Sequence, residues 1–175
     1  MNTVIEIGLD PASIDQGIEA LKAYQKRLEK KARELRWRVA KYIAEYAQPI
    51  FRSAVADDLI GESAIIGNVF VTAQENGNTT LVIAHGKDAV FMEFGAGVYH
   101  NGAVGTSPNP WGTKANLGYT IGSYGKGNGR KEVWGYKDAE GLHLTHGTPA
   151  SMPLFNAVVA MEKDLQKIAR EVFST

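Results

Sequence analysis

The chain contains no cysteine, which excludes disulfides, thiolate metal sites and cysteine nucleophiles and fits a reducing compartment. No stretch approaches the ~20 consecutive apolar residues needed to cross a bilayer, so no membrane partner is expected. Residues 1–6 carry neither the basic nor the apolar region of a signal peptide, so synthesis and first action are expected in the cytoplasm. Net charge is absent too, at +0. Also missing are a Gly-x-Ser-x-Gly elbow, a His-Glu-x-x-His pair, a Walker loop and a dinucleotide fingerprint.

What is present is ordinary in bulk and uneven in detail. With 175 residues and 44% hydrophobic content, the chain is expected to form a single domain over 1–175 with a real core. Lys22 to Lys41 holds nine Lys or Arg residues against Glu29 and Glu34, and Phe94 to Lys131 holds no acid at all. Segregated charge in a neutral chain suits association with copies of itself or with partners.

The periodicity predicts an α+β fold. Val4 to Leu9 reads as a short N-terminal strand. Asp10-Pro11 is a helix start, since Asp caps free N–H groups and Pro is tolerated at the first helical position. Ile14, Ile18, Leu21, Leu28, Ala32, Leu35, Val39, Tyr42 and Tyr46 then follow in steps of three and four, with Gln25 as the interruption. Gly17 is a candidate to divide off a first turn, and Pro49 is expected to end or kink the helix. A helix this long needs an equally long cover, either a sheet or a neighbouring subunit.

Ile65 to Gln74 and Thr79 to His85 flank Glu75-Asn76-Gly77-Asn78, and Asn-Gly between β-branched runs predicts a hairpin. Ala89 to Phe94 reads as a third strand of an antiparallel sheet. Lys131 to Tyr136 and Leu142 to His146 predict another hairpin. Between them lies a long Gly-rich insertion, 95–130, with ten glycines; loops of that length are usually functional or disordered. Pro149 and Pro153 bracket the start of a C-terminal helix with Ser151 available as a cap, and Leu154, Val158, Met161, Leu165, Ile168 and Val172 repeat at helical spacing.

Several residues carry chemistry on paper. Glu93 lies in the apolar run Val90 to Phe94, just before Gly95 and Gly97. As a general base it needs a pocket and a partner. In a strand, Met92 and Phe94 would point away from it, leaving Glu93 to face solvent or a positive group. Three of His85, His100, His143 and His146 with Glu93 could make a zinc site, but His143 and His146, three apart on a strand, would point to opposite faces. Gly122 to Arg130 looks like a phosphate loop, yet the next element reads as strand rather than helix. Tyr99, Trp111, Tyr119 and Tyr124, interleaved with Lys114, Lys126 and Arg130, suit either nucleic-acid stacking or a protein interface. With Lys131, four charges over so many residues make a thin phosphate footprint, so protein docking is the favoured reading.

Two segments together resemble a known family. Phe91-Met92-Glu93-Phe94-Gly95-Ala96-Gly97, followed by Gly147-Thr148-Pro149-Ala150-Ser151-Met152-Pro153-Leu154-Phe155, is similar to the neck and tail-completion proteins of long-tailed bacteriophages, the minor tail components that join head to tail. The family pattern is a hydrophobic strand, Glu-aromatic-Gly-small-Gly, then a Pro-aromatic start to the last helix. Here Ala96 stands where threonine is common, and Leu154 separates Pro153 from Phe155. The resemblance implies a non-enzymatic, ring-forming virion assembly protein without a cofactor, made in the host cytoplasm and carried into the virion neck. Its partners would be further copies, the head–tail connector, and the tail terminator or tail-tube proteins, with passing DNA as a further contact. Glu93 and Phe94 would serve a structural contact, Gly95 and Gly97 the exit into the loop, Tyr99, Trp111 and Tyr124 the interaction loop, and Pro153 and Phe155 the start of the closing helix. Two other readings stay open at this level: a nucleic-acid-binding module using the basic aromatic loop, and a metal-dependent hydrolase built on Glu93 and the histidines.

Overall fold

The computed structural model describes residues 7–53, 55–58, 64–65, 69–86, 88–95, 99–100, 103–104, 134–137, 139, 141–147 and 150–174. The elements in chain order are α1 (Pro11–Ser53), β1 (Val55–Asp58), β2 (Ala64–Ile65), β3 (Phe70–Asn76), β4 (Thr79–His85), α2 (Ala89–Phe94), β5 (Tyr99–His100), β6 (Ala103–Val104), β7 (Trp134–Lys137), β8 (Leu142–Gly147) and α3 (Pro153–Ser174). The fold is α+β. All strand pairs are antiparallel, in a four-stranded sheet ordered β2-β1-β8-β7 and two separate two-stranded sheets, β3-β4 and β5-β6.

Helix α1 begins as its sequence dictates. Asp10 Oδ1 accepts the Ser13 N–H at 3.0 Å, the Asp10 carbonyl accepts the Ile14 N–H at 3.1 Å, and Pro11 occupies the first turn, where no N–H is missed. Ile7 to Leu9, expected as the end of a first strand, form no strand; the rest of that stretch, 4–6, lies outside the described residues. Gly17 does not divide the helix. It is buried because Ile7 lies against it, and a Cβ there would stand 2.7 Å from the Ile7 Cδ1. Pro49 does not end the helix either, which runs on to Ser53. Pro49 is exposed and lies one turn from the end of the helix, where losing one backbone bond costs least.

The buried face of α1 is Ala40, Ala44, Ala47 and Phe51, one position away from the tail of the predicted stripe at Val39, Tyr42 and Tyr46. A strict alternation of four and three drifts by about 20° per heptad around a straight helix. A stripe that begins at Ile14 has therefore rotated off the core face by Tyr46.

The core joins Ala47 and Phe51 of α1, Val69, Ala89 and Met92 of α2, and Ala157 of α3, with Ile43, Val71, Ala84 and Leu154 packed around them. Helix α3 runs antiparallel to α1. Tyr42 donates its hydroxyl to Asp164 Oδ2 at 2.8 Å, and Lys31 reaches the Val172 carbonyl at 2.6 Å, where a cation meets the negative end of the helix dipole.

The β3–β4 hairpin covers another side of α1. Its two-residue loop is Gly77-Asn78, between the paired Asn76 and Thr79, so the turn sits one residue later than Asn-Gly suggested. Gly77 has φ +55 and Asn78 does not, matching the turn that takes glycine at its first central position. Gln48 ties the hairpin down: its amide nitrogen donates to the Val69 carbonyl at 3.0 Å and its oxygen accepts the Val71 N–H at 2.8 Å. One side-chain amide thus stands in for a neighbouring strand on the outer edge of β3. The second predicted hairpin forms as β7–β8, with Trp134 opposite Thr145 and Lys137 opposite Leu142.

Candidate functional site

Residues Ala89–Phe94 form a helix, α2, rather than the expected strand. A six-residue apolar run has no periodicity long enough to separate a strand from a buried helical turn. The flanking backbone decides it: Ala89 N–H bonds the Gly86 carbonyl at 3.2 Å, Met92 N–H the Asp88 carbonyl at 3.1 Å, and Gly95 N–H the Phe91 carbonyl at 2.7 Å. The change of period reverses the orientation of the acid. In a strand Glu93 and Met92 would face opposite ways; in α2 both are buried, with Glu93 only 5% exposed.

The carboxylate meets backbone donors. Glu93 Oε2 accepts the Leu154 N–H at 2.8 Å and Oε1 accepts the Phe155 N–H at 3.0 Å. A helix start leaves four amides without intrahelical partners, and at α3 each position is accounted for. Pro153 has no N–H, Leu154 and Phe155 are held by Glu93, and the ladder begins with Asn156 N–H on the Met152 carbonyl at 2.9 Å. A carboxylate at this end is also favoured by the helix dipole. The reverse strand of the contact completes α2: the Met92 carbonyl, left over at its C-terminal end, accepts the N–H groups of Ser151 at 2.9 Å and Met152 at 3.3 Å.

Ser151 is therefore not the cap that local sequence offered. Its own N–H goes to Met92, and its carbonyl accepts the Asn156 side-chain amide at 3.0 Å. A local signal for the distant cap did exist. The N-cap position holds Met152, which has φ 51 and no oxygen to offer where Ser, Thr, Asp or Asn is expected. A proline-led helix with an empty cap position needs its acceptor from elsewhere.

Gly95 follows α2 with φ 76 and ψ 158 and is buried. This backbone region is essentially restricted to glycine, so the exit after Glu93-Phe94 depends on that residue. Phe94 ends α2 half-buried, Pro153 is fully buried at the start of α3, and Phe155 is half-buried beside it. Tyr99 pairs with Val104 in the β5–β6 ladder. Gly97, Trp111 and Tyr124, with Tyr119 and most of the Gly-rich insertion, lie outside the described residues.

The histidine set is not assembled around Glu93 where it is described. His85 Nε2 is 2.7 Å from the Thr72 hydroxyl, and its ring stacks on Phe70 with centroids 4.6 Å apart. Among the described residues no group of three or more His, Asp or Glu is placed to hold a metal ion, and no helix is long and apolar enough to cross a membrane.

Two surface hollows flank α1. One, of about 490 Å³, is lined by Ala44, Gln48, Pro49 and Val71 with Glu45 and Arg52 at the rim. The other, of about 800 Å³, lies between α1 and the hairpin tip and brings Lys26, Lys30, Arg33 and Arg36 together with Glu29 and Glu75. In it Arg33 makes a bidentate pair with Glu75, one arm of it at 2.7 Å. The Glu75 carboxyl is held below its ordinary value by the Arg33 hydrogen bond, opposed by desolvation and assisted by the charges of Arg33 and Arg36.

No family model, curated protein or solved structure matches the chain.

Proposed function

We propose that this chain is a non-enzymatic virion assembly protein of a tailed bacteriophage or prophage, a ring-forming neck or tail-completion component that joins the head connector to the tail. The observation that carries the reading is the contact of Glu93 with Leu154 and Phe155. The two segments on which the resemblance rests lie far apart in sequence, yet each supplies one half of a single buried junction. Glu93, Gly95 and Pro153 then have structural reasons to occur together: a cap, an exit turn that only glycine makes, and a helix start with no N–H to satisfy. Both Glu93 oxygens hold helix amides, which suits an architectural carboxylate better than a general base open to substrate.

In this role the chain needs no cofactor. It acts in the host cytoplasm during assembly and then in the virion, against copies of itself, the head–tail connector and the tail terminator or tail-tube proteins. Ring contacts are heterologous, one patch against a different patch of the next copy. The segregated charge of the chain supplies patches of both signs.

The test is electron microscopy and mass measurement of the purified chain, alone and with connector or tail tube from the same phage. The expected result is a ring, at least on the template, and heads that join tails only when the chain is added. Failure to enter a ring with either partner would overturn the reading. DNA binding that falls steeply with salt would favour the nucleic-acid alternative instead.

A further inference from the structure

The first twenty residues of α1 form an arm that runs past the end of α3, with Ile7 against Gly17 and the hairpin tip beside Lys26, Glu29 and Lys30. Lys31 is the point where α3 ends against α1, and residues 21–30 are exposed throughout. Along this arm Ile14, Ile18, Leu21, Gln25 and Leu28 keep a strict alternation of four and three residues, the spacing of a two-helix seam. Ile18 is 44% exposed and Leu21 52%, and no described residue of α3 or the hairpin is bonded to this stripe. A row of large aliphatic side chains on a projecting helix marks an interaction surface, and such a helix owes its stability to packing rather than propensity.

Charge decides what fits. Residues 10–19 carry Asp10, Asp15 and Glu19 and no base; residues 22–31 carry Lys22, Lys26, Arg27, Lys30 and Lys31 against Glu29 alone. Two such arms side by side in parallel would set acid on acid and base on base. Turned head to tail, each acidic end meets a basic one. Flanking positions choose the register as well. With Ile18 opposite Leu21 of the second copy, Asp15 faces Lys22 on both sides of the seam. Sliding by one heptad would place Lys22 against Lys22 and Asp15 against Glu29. Lys22 now contacts Glu19 at 2.8 Å at an exposed site, a pair that holds it only weakly.

We propose that the arm, residues 11–30, takes the arm of a second copy of this chain as an antiparallel helix pair, with Ile18 against Leu21. This rests on the arm alone and not on the neck-protein reading. The contact is two-fold and closes on itself, so it joins two copies, or two rings, while other surfaces close any ring.

Sedimentation equilibrium of the full chain from low to high micromolar concentration tests it. The wild type is expected to dimerise. I18D/L21D should raise the dimer dissociation constant about a hundredfold or more, because it places charges in an apolar seam. D15K or K22D alone should weaken pairing about two- to tenfold, and D15K/K22D should restore it; these exposed changes leave the body intact. Because the chain has no cysteine, engineered ones report unambiguously. A mixture of I14C and Q25C chains should form the mixed disulfide on oxidation, and I14C alone should not. A wild type that is monomeric at every concentration, association unchanged in I18D/L21D, or dominant self-linking of I14C would each overturn the proposal. A chain that fails here yet joins heads to tails refutes the arm pair and leaves the neck reading standing.

Discussion

Glu93 Oε2 accepts the Leu154 N–H at 2.8 Å, across 61 positions of sequence. The same carboxylate holds Phe155, so one buried side chain completes the start of a 22-residue helix. Replacing it leaves two half-buried amides without that acceptor. Glu93→Ala is expected to cost roughly 2–4 kcal/mol of unfolding free energy. Glu93→Gln keeps one acceptor oxygen and should lose about half as much. Urea unfolding followed by circular dichroism measures both, and equal loss in the two variants would argue against a bidentate cap.

Gly95 and Gly77 both have positive φ but differ in kind. Gly95 sits buried at φ 76 and ψ 158, whereas Gly77 is at φ +55 in an open turn where a Cβ would meet nothing within 4 Å. Gly95→Ala is expected to destabilise by about 1–3 kcal/mol, and Gly77→Ala by about 1 kcal/mol. A reversed ranking in thermal unfolding would contradict the backbone geometry of the α2 exit.

Arg33 and Glu75 fasten the hairpin tip to α1, and the Glu75 carboxyl is held below its ordinary value. A depressed acid stabilises the fold above its unfolded value and loses that contribution as pH falls through the folded one. The melting-temperature difference between wild type and Glu75→Gln is therefore expected to be present at neutral pH and to vanish in acid. Added salt should shrink it, since the pair is exposed. A difference that persists undiminished below the carboxylate range would show that the ion pair is not its source.

Tyr42 titrates above its ordinary value because its hydroxyl donates to Asp164, with desolvation and the charges of Asp164 and Tyr46 adding to the effect. A raised value means that the contribution is present below the unfolded tyrosine range and is lost as pH rises through the folded value. Absorbance titration at alkaline pH should find a late-ionising tyrosine that disappears in Tyr42→Phe. Asp164→Asn should bring that ionisation back toward the ordinary range.

Some of this was legible in residue order because the physics is local. Asp10-Pro11 starts α1 with its own side chain, Asn76-Gly77 announces a tight turn to within one residue, and the spacing from Leu154 to Val172 marks α3. Local rules failed where a distant element supplied the missing partner. Pro49 stays inside α1 because it is exposed one turn from the end of the helix. Gly17 stays because Ile7 covers it. Ala89 to Phe94 was ambiguous since so short a run satisfies either period, and the flanking backbone bonds together with packing of Ala89 and Met92 in the core select the helix.

By itself the sequence determined the α+β class, the two long helices and both main hairpins, and it marked the long apolar stripe of α1 as needing cover from a sheet or a neighbouring subunit. It also marked Glu93, Gly95 and Pro153 among nine residues for structural or interaction roles. Only the tertiary structure decided what the acid does. Whether a carboxylate faces water, a metal or a row of amides depends on which backbone approaches it, and that backbone is the start of α3, carrying a cap position that Met152 cannot fill.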